Sequence, residues 1–226
     1  MKVVIIGATG LVGAQILKFT EASSAISAIT TLTRRKVEGS TKLNSIVTPD
    51  TNEWTELIAA NAKDNDVFFS AFGTTRADAG GIENFKKIDY GTNLQCAKAA
   101  KDANISTFVL VSSAGANSSS WLPYLKIKGE LEDEITKLGF KRFIILRPGA
   151  LLGQRTKQHN GFGAGIFVAL SEFSRKTPFS KALKAVYAEE IGKAVVSLAT
   201  KPLPSNGEPE TRIIEAAEIV QLASEI

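Results

Sequence analysis

The chain has 226 residues, of which 44% are hydrophobic and 22% charged, so a single folded domain is expected and wholesale disorder is excluded. One cysteine, Cys96, and one histidine, His159, cannot form an internal disulfide or the usual tetrahedral zinc site, so no metal site is expected and a reducing, intracellular compartment is favoured. The net charge of +4 is too small to indicate a nucleic-acid surface, and no apolar run is long enough for a membrane-spanning helix.

Short apolar runs alternate along the chain with segments that carry apolar residues at helical spacing. The first run, Val3 to Ile6, is rich in β-branched residues and begins so close to Met1 that it leaves no room for a cleavable leader. The alternation predicts βαβ units, a parallel sheet and a doubly wound α/β fold. The predicted strands are 3–6, 28–33, 44–47, 67–69, 108–111, 143–146 and 212–214, and the predicted helices are 11–19, 54–62, 93–103, 124–138, 162–173, 189–199 and the C-terminal segment.

Three glycines, Gly7, Gly10 and Gly13, directly follow the first predicted strand and open the first predicted helix. Glycines at this spacing permit a tight turn, close approach of a pyrophosphate and close packing of helix on strand. The free N–H groups at the helix N-terminus attract the anion. An ordinary turn with incidental glycines is the alternative, but the flanking strand and helix favour dinucleotide binding. The contact residues are then Gly7, Thr9, Gly10, Leu11, Val12 and Gly13.

The end of the second predicted strand indicates which dinucleotide binds. An acidic residue there would hold the ribose 2′-hydroxyl of NAD, but the sequence has Arg34 and Arg35. Two guanidinium groups suit a 2′-phosphate, so NADP(H) is the predicted cofactor, although a solvated basic turn is the alternative. Residues 1–226 are accordingly expected to form one Rossmann, NAD(P)-binding domain, in which roughly 150–187 and 201–226 contribute a small C-terminal substrate-side lobe.

Tyr124 and Lys128 lie four positions apart, so they share one face of a predicted helix. An ammonium near a phenol lowers the pKa of the phenol and so favours proton exchange near neutral pH. A chance helix pair is the alternative, but the pair follows a strand that ends in Ser112 and Ser113. These groups are therefore expected together at the carboxyl ends of the strands, where ligands bind in such sheets.

The glycine turn, Ser113 and the Tyr124–Lys128 pair resemble the short-chain dehydrogenase/reductase superfamily, in its extended or atypical branch. The resemblance is closest to a smaller group within it, the Tat-interacting oxidoreductase-like proteins and their yeast mitochondrial relatives. It runs from Met1 to about Arg155 and continues weakly through 161–163 and 186–192. The segments that carry it are Phe72–Arg76, Val111–Gly115, Tyr124–Glu130 and Leu146–Gly153.

This resemblance implies a role for each matching residue. Tyr124 becomes the catalytic acid or base, Lys128 binds the nicotinamide ribose, and Ser113 bonds the substrate carbonyl, with Ser112 as the alternative if the register differs by one. Typical members also use an asparagine of the preceding helix, and whether Asn93 or Asp89 takes that place stays open. The remaining cofactor contacts implied are Ala71, Phe72, Gly73, Pro148, Gly149, Ala150, Leu151 and Arg155.

Motifs and resemblance together predict an NADP(H)-dependent oxidoreductase, in which hydride passes between nicotinamide C4 and a carbonyl or quinone carbon while Tyr124 transfers the proton. The alternative is an NADPH-bound regulatory or interaction protein with little turnover, and an isomerase that retains its cofactor is disfavoured by the short C-terminal half. The resemblance alone implies peripheral attachment to the mitochondrial outer membrane. A cytoplasmic location stays open, as do a monomer and a homodimer.

Overall fold

The structure is a computed structural model that describes residues 1–152, 185–205 and 207–225. The strands are β1 (Lys2–Ile6), β2 (Ala28–Thr33), β3 (Leu43–Val47), β4 (Val67–Ser70), β5 (Thr107–Val111), β6 (Arg142–Arg147), β7 (Leu151–Leu152), β8 (Val186–Tyr187) and β9 (Glu210–Glu215). The α-helices are α1 (Leu11–Ala22), α2 (Trp54–Asn61), α3 (Ile82–Lys86), α4 (Asn93–Asp102), α5 (Pro123–Lys137), α6 (Ala188–Ala199) and α7 (Ala216–Ser224). A 3₁₀ turn (Thr51–Glu53) precedes α2, and a π-helix (Lys87–Thr92) joins α3 to α4.

One sheet of seven parallel strands has the order β3-β2-β1-β4-β5-β6-β9, and β7 pairs with β8 separately. The order reverses between β1 and β4, where the chain crosses from one half of the sheet to the other. Ile6, the last residue of β1, lies between Leu32 of β2 and Ser70 of β4. A crevice at the carboxyl ends of the strands is expected at such a reversal, and it is where ligands bind in open α/β sheets.

Each face of the sheet carries a separate hydrophobic core, because successive side chains of a strand point to opposite faces. Val3 and Ile5 of β1 pack on the face that α1, α6 and α7 cover, whereas Val4 and Ile6 pack on the face that α2, α4 and α5 cover. Gly192 lets α6 cross α1 closely, since a Cβ there would lie 2.9 Å from the backbone of Gln15. The sheet is therefore fixed between two helical layers.

The described residues confirm the parallel doubly wound sheet that the sequence predicts, with strand and helix ends shifted by at most three residues. The sequence reading missed α3, the π-helix and the β7–β8 pair. Residues 210–215 lie in the main sheet, and the substrate-side lobe over 150–187 and 201–226 stays a prediction. The predicted helix over 162–173, His159 and Arg155 lie outside the described residues.

Cys96 is a small buried side chain of α4, as its Ala-rich surroundings in the sequence indicate. Burial raises the pKa of its thiol to about 12, because the charged thiolate would lose its solvation. A thiol with such a pKa is protonated at neutral pH and is a poor nucleophile. Cys96 is therefore suited to packing in the core and poorly suited to nucleophilic catalysis.

Candidate cofactor and active site

The glycine turn between β1 and α1 is built around contacts that leave no room for a side chain. Gly7 has a φ of +82°, and a Cβ there would collide with the backbone of Ala71 and Phe72 at the end of β4. A Cβ on Gly13 would collide with the carbonyl group of Gly7. Gly7 and Gly13 thus allow β1, α1 and the β4 end to meet, while Gly10 is exposed at the tip of the turn.

The N-terminus of α1 is open to an anion. Helical bonding begins where the N–H of Ala14 donates to the carbonyl oxygen of Gly10 at 2.9 Å, so the N–H groups of Leu11, Val12 and Gly13 come before the first helical bond. Gly10 offers no capping side chain, and no acidic residue stands in the first turn. This set of donors, backed by the helix dipole, fits the pyrophosphate of a dinucleotide.

Arg34 and Arg35 are exposed directly after β2, beside the crevice. The Arg34 guanidinium lies 5.7 Å from the ring centroid of Phe72, which follows β4, and the Phe72 ring packs edge-on against Trp54 at 4.8 Å. The Thr33 hydroxyl donates to the carbonyl oxygen of Arg35 at 2.7 Å and so shapes the turn. Within the part of the chain that the structure describes, neither guanidinium is paired with a carboxylate.

The two serines after β5 have different surroundings. The Ser112 hydroxyl is buried and donates to the carboxylate of Glu132 on α5. Ser113 is half-buried, and its hydroxyl lies 3.5 Å from the carbonyl oxygen of Ala114, which is too long for a strong bond. Because the Ser112 hydroxyl already donates its hydrogen bond to Glu132, Ser113 is the hydroxyl better placed to bond a substrate.

Glu132 holds Arg147 as well as Ser112. The guanidinium of Arg147, at the end of β6, donates to both oxygens of the Glu132 carboxylate, at 3.2 and 2.5 Å. The hydrogen bond to Glu132 is the main factor that raises the pKa of Arg147 above its ordinary value. The cluster therefore fixes the ends of β5 and β6 against α5, and with them the loop that carries Ser113.

The Glu132→Gln substitution is expected to lower the free energy of unfolding by about 2 kcal/mol, because the partly buried Arg147 guanidinium loses its closer carboxylate and keeps that of Glu215, at 3.4 Å. Urea titration followed by circular dichroism measures the loss. Glu134→Gln is the matched control on the same helix, since Glu134 pairs with Lys137 at the surface and should contribute less than about 1 kcal/mol. Equal losses in the two variants would contradict the role given to Glu132.

Tyr124 lies in the first turn of α5 and keeps 37% of its surface exposed. Its ring packs at 5.2 Å from that of Phe85 in α3. The loop that carries Ser113 is tied to the same turn, because the N–H of Asn117 donates to the carbonyl oxygen of Leu125 at 3.1 Å. The structure thus brings the Ser113 loop and the Tyr124 helix into contact.

Pro148 and its neighbours lie against this loop. The N–H of Ala114 donates to the carbonyl oxygen of Pro148 at 2.9 Å, so the residue after Ser113 is bonded to the end of β6. Leu151, in β7, is 36% exposed. Residues 148–151 therefore begin beside the Ser113 loop, while Ala71, Phe72 and Gly73 continue β4 beside the glycine turn.

Lys128 is buried and forms an ion pair. Its Nζ lies 2.7 Å from Oδ1 of Asp89, a residue of the π-helix that is 1% exposed. Asn93, one turn further on, accepts a hydrogen bond from the Ser70 hydroxyl at 2.5 Å and donates to the carbonyl oxygen of Phe72 at 3.1 Å. Of the two residues that the sequence leaves open, Asp89 contacts the lysine, and Asn93 holds the end of β4.

Gly129 and Glu132 have roles in the structure that the sequence does not predict. A Cβ on Gly129 would collide with the backbone of Asn117 and Ser118, so this glycine lets α5 press against the Ser113 loop. A glycine within a strong helix pattern indicates such a close approach. Glu132 lies four residues after Lys128, on the buried face of α5, and a carboxylate in that position indicates a partner.

A family model described as NAD(P)H-binding matches residues 7–201. Protein FMP52, mitochondrial, from Debaryomyces hansenii is 50% identical over 226 residues, and its counterpart from Candida albicans is 47% identical over 229 residues; each match covers 100% of both chains. Among solved structures, UDP-glucose 4-epimerase of Thermus thermophilus in complex with NAD has a TM-score of 0.67 at 15% identity, covering 100% of this chain and 83% of that one.

The enzyme WbmH of Bordetella bronchiseptica, in complex with NAD+, has the same TM-score of 0.67 at 18% identity, covering 88% of this chain and 71% of that one. At such identities the likeness to these two structures shows the fold. The identity to the FMP52 proteins over their full length is far higher, and it comes with the matching family model. The chain is therefore a member of the FMP52 family of NAD(P)H-binding proteins.

Proposed function

We propose that the protein is an NADP(H)-dependent oxidoreductase of the short-chain dehydrogenase/reductase type that acts on a small carbonyl or quinone substrate. The observation that carries the proposal is that the segments at the carboxyl ends of one parallel sheet supply an open helix N-terminus, two arginines that no carboxylate pairs within the described residues, a half-exposed tyrosine and a buried lysine. This is the donor set that a phosphorylated dinucleotide requires, beside a group that can exchange a proton.

Each residue has a distinct part in the proposed reaction. The N–H groups at the start of α1 hold the pyrophosphate, and Arg34 and Arg35 hold the 2′-phosphate. Residues 71–73 and 148–151 line the rest of the cofactor. The bound nicotinamide supplies or accepts the hydride. Ser113 donates a hydrogen bond to the substrate oxygen, and Tyr124 exchanges the proton at that oxygen. Lys128 orients the nicotinamide ribose.

Arg34→Ala is expected to weaken NADPH binding by about 10- to 100-fold and to leave NADH binding nearly unchanged, because a hydrogen bond to a charged group contributes about 1.5–3 kcal/mol. Titration of each cofactor by nucleotide fluorescence measures both affinities. Arg212→Ala is the control, since Arg212 lies on β9, at the edge of the sheet opposite β3, and pairs there with Glu218 of α7. Equal affinity of the unchanged protein for NADPH and NADH would overturn the preference for NADP(H).

A screen of aldehydes, ketones and quinones with NADPH tests the catalytic part of the proposal. Consumption of NADPH above the blank with at least one of them is the expected result. Tight NADPH binding without consumption across the screen would instead favour a cofactor-loaded regulatory or interaction protein, since the binding residues would then serve recognition rather than turnover.

The relatives' names describe mitochondrial proteins, and we propose the same location, with peripheral attachment to the outer membrane. No helix in the described residues combines the length and apolar character needed to cross a bilayer. A peripheral protein is expected to sediment with mitochondria and to be released by alkaline carbonate. Recovery in the pellet after carbonate treatment would contradict peripheral attachment.

A further inference from the structure

We infer that Asp89 is a positioning residue for the proposed reaction: its carboxylate fixes the Lys128 ammonium and the loop after β4 in one arrangement before the cofactor binds. The inference rests on the proposed function, because that function assigns Lys128 to orient the nicotinamide ribose. Asp89 reaches the reaction only through Lys128, and its bond to this loop holds the carboxylate in place.

Both oxygens of the Asp89 carboxylate are occupied. Oδ1 lies 2.7 Å from Nζ of Lys128, and Oδ2 accepts a hydrogen bond from the N–H of Thr74 at 2.8 Å. A Cβ on Gly73 would lie 2.8 Å from Oδ1, so the chain after β4 packs tightly over the carboxylate. One side chain thus joins α5, which carries Tyr124, to the segment expected along the cofactor.

Because both side chains are buried, the charges of Asp89 and Lys128 depend on each other for compensation. The side chain of Asp89 is 1% exposed and that of Lys128 is 8% exposed, so neither charge is well solvated. A buried ammonium is costly unless a carboxylate compensates it, and removal of one partner leaves the other uncompensated. Lys128 is therefore held in place by Asp89, whereas a surface lysine would sample many rotamers.

The π-helix and the first residue of α4 turn Asp89 and Asn93 toward the end of β4. The Asn93 amide donates to the carbonyl oxygen of Asp89 at 2.9 Å and to that of Phe72 at 3.1 Å. The backbone that carries Asp89 is consequently bonded to the strand end through Asn93. A π-helical turn within an α-helical segment is often a functional feature, and here it places the Asp89 carboxylate beneath the loop after β4.

This arrangement has a consequence for the reaction. An ammonium that is already ordered can bond the ribose without a further loss of side-chain freedom, so the cofactor binds more tightly. It also keeps the ribose in a fixed relation to Tyr124, one turn away on the same helix. Loss of the carboxylate should therefore weaken cofactor binding and slow turnover together.

Asp89→Asn tests the inference, since it keeps the shape of the side chain and removes its charge. NADPH affinity, measured by fluorescence without substrate, is expected to fall about 10-fold, the loss of about one charge-assisted hydrogen bond. The kcat is expected to fall about 100-fold, as for a misplaced reacting group. Asp66→Asn is the control, because Asp66 also accepts a backbone N–H, from Lys2 at 2.7 Å, but at the opposite end of the sheet.

A double-mutant cycle separates positioning from a general loss of structure. If Asp89 acts through Lys128, then Asp89→Asn should cost no further NADPH affinity once Lys128→Met is present. If Asp89→Asn alone fails to fold, the comparison of Lys128→Met with the double variant still decides, because the double variant removes both buried charges.

Unchanged NADPH affinity and kcat in folded Asp89→Asn would overturn the inference, and so would a further 10-fold loss of NADPH affinity in the double variant relative to Lys128→Met. Failure of the proposed function has another signature. In that case the unchanged protein itself would fail to bind NADPH, or would bind it without consuming it.

Discussion

Replacement of Tyr124 by phenylalanine is expected to lower kcat by about 100- to 10,000-fold, the contribution of a positioned acid or base, while NADPH affinity stays the same. The phenol oxygen is the only group removed, and the ring remains to pack against Phe85 at 5.2 Å. The fold and the cofactor contacts should therefore persist. Steady-state turnover, with NADPH titration on the same preparation, measures both quantities.

The matched control is Tyr90→Phe, the same chemical change in the π-helix that carries Asp89. The Tyr90 ring faces the Lys86 ammonium at 5.7 Å, and phenylalanine keeps that contact. Its kcat should stay within a few-fold of the unchanged protein, because the ring that packs against the core is kept and only the hydroxyl is lost. Turnover by Tyr124→Phe at the level of this control would rule out Tyr124 as the acid or base.

The fold could be predicted from the sequence because its signals are local. Val3 to Ile6 and 108–111 are β-branched or aromatic runs of strand length, and each is followed by turn residues and a helix pattern. Right-handed crossovers then leave few topologies for such a series. The π-helix was missed because residues 82–92 carry no clean apolar period, and their conformation depends on contacts that Asp89 and Asn93 make with other elements.

The sequence predicts which residues form the candidate site better than it predicts which of them contact one another. The spacing of Gly7 and Gly13 predicts that neither position has room for a side chain. The structure shows the backbone collisions that a Cβ would cause at each of them. The choice between Ser112 and Ser113 depends on Glu132, which lies 20 residues away along the chain. The partner of Lys128 lies 39 residues away, so no local pattern could identify it.

Substitution of Gly129 by alanine is expected to destabilise the protein by about 1–3 kcal/mol, the usual cost of overpacking a tight contact. The added Cβ would meet the backbone of Asn117 and Ser118, which cannot move aside as a flexible side chain could. Asn117 is moreover bonded to Leu125 in the first turns of α5. The loop must shift as a unit, and Ser113 shifts with it.

Because Ser113 and Tyr124 are proposed to act on one substrate oxygen, this shift should also lower kcat by about 100-fold, the effect of a displacement near 1 Å. Gly91→Ala is the control: Gly91 is likewise helical, but a Cβ there would meet its nearest neighbour, the carbonyl oxygen of Lys86, only at 4.0 Å. Urea unfolding and steady-state turnover, measured on both variants, separate the two expectations. If Gly129→Ala lost stability but kept full turnover, the contact would support the fold without placing Ser113, and the catalytic part assigned to the loop would have to be withdrawn.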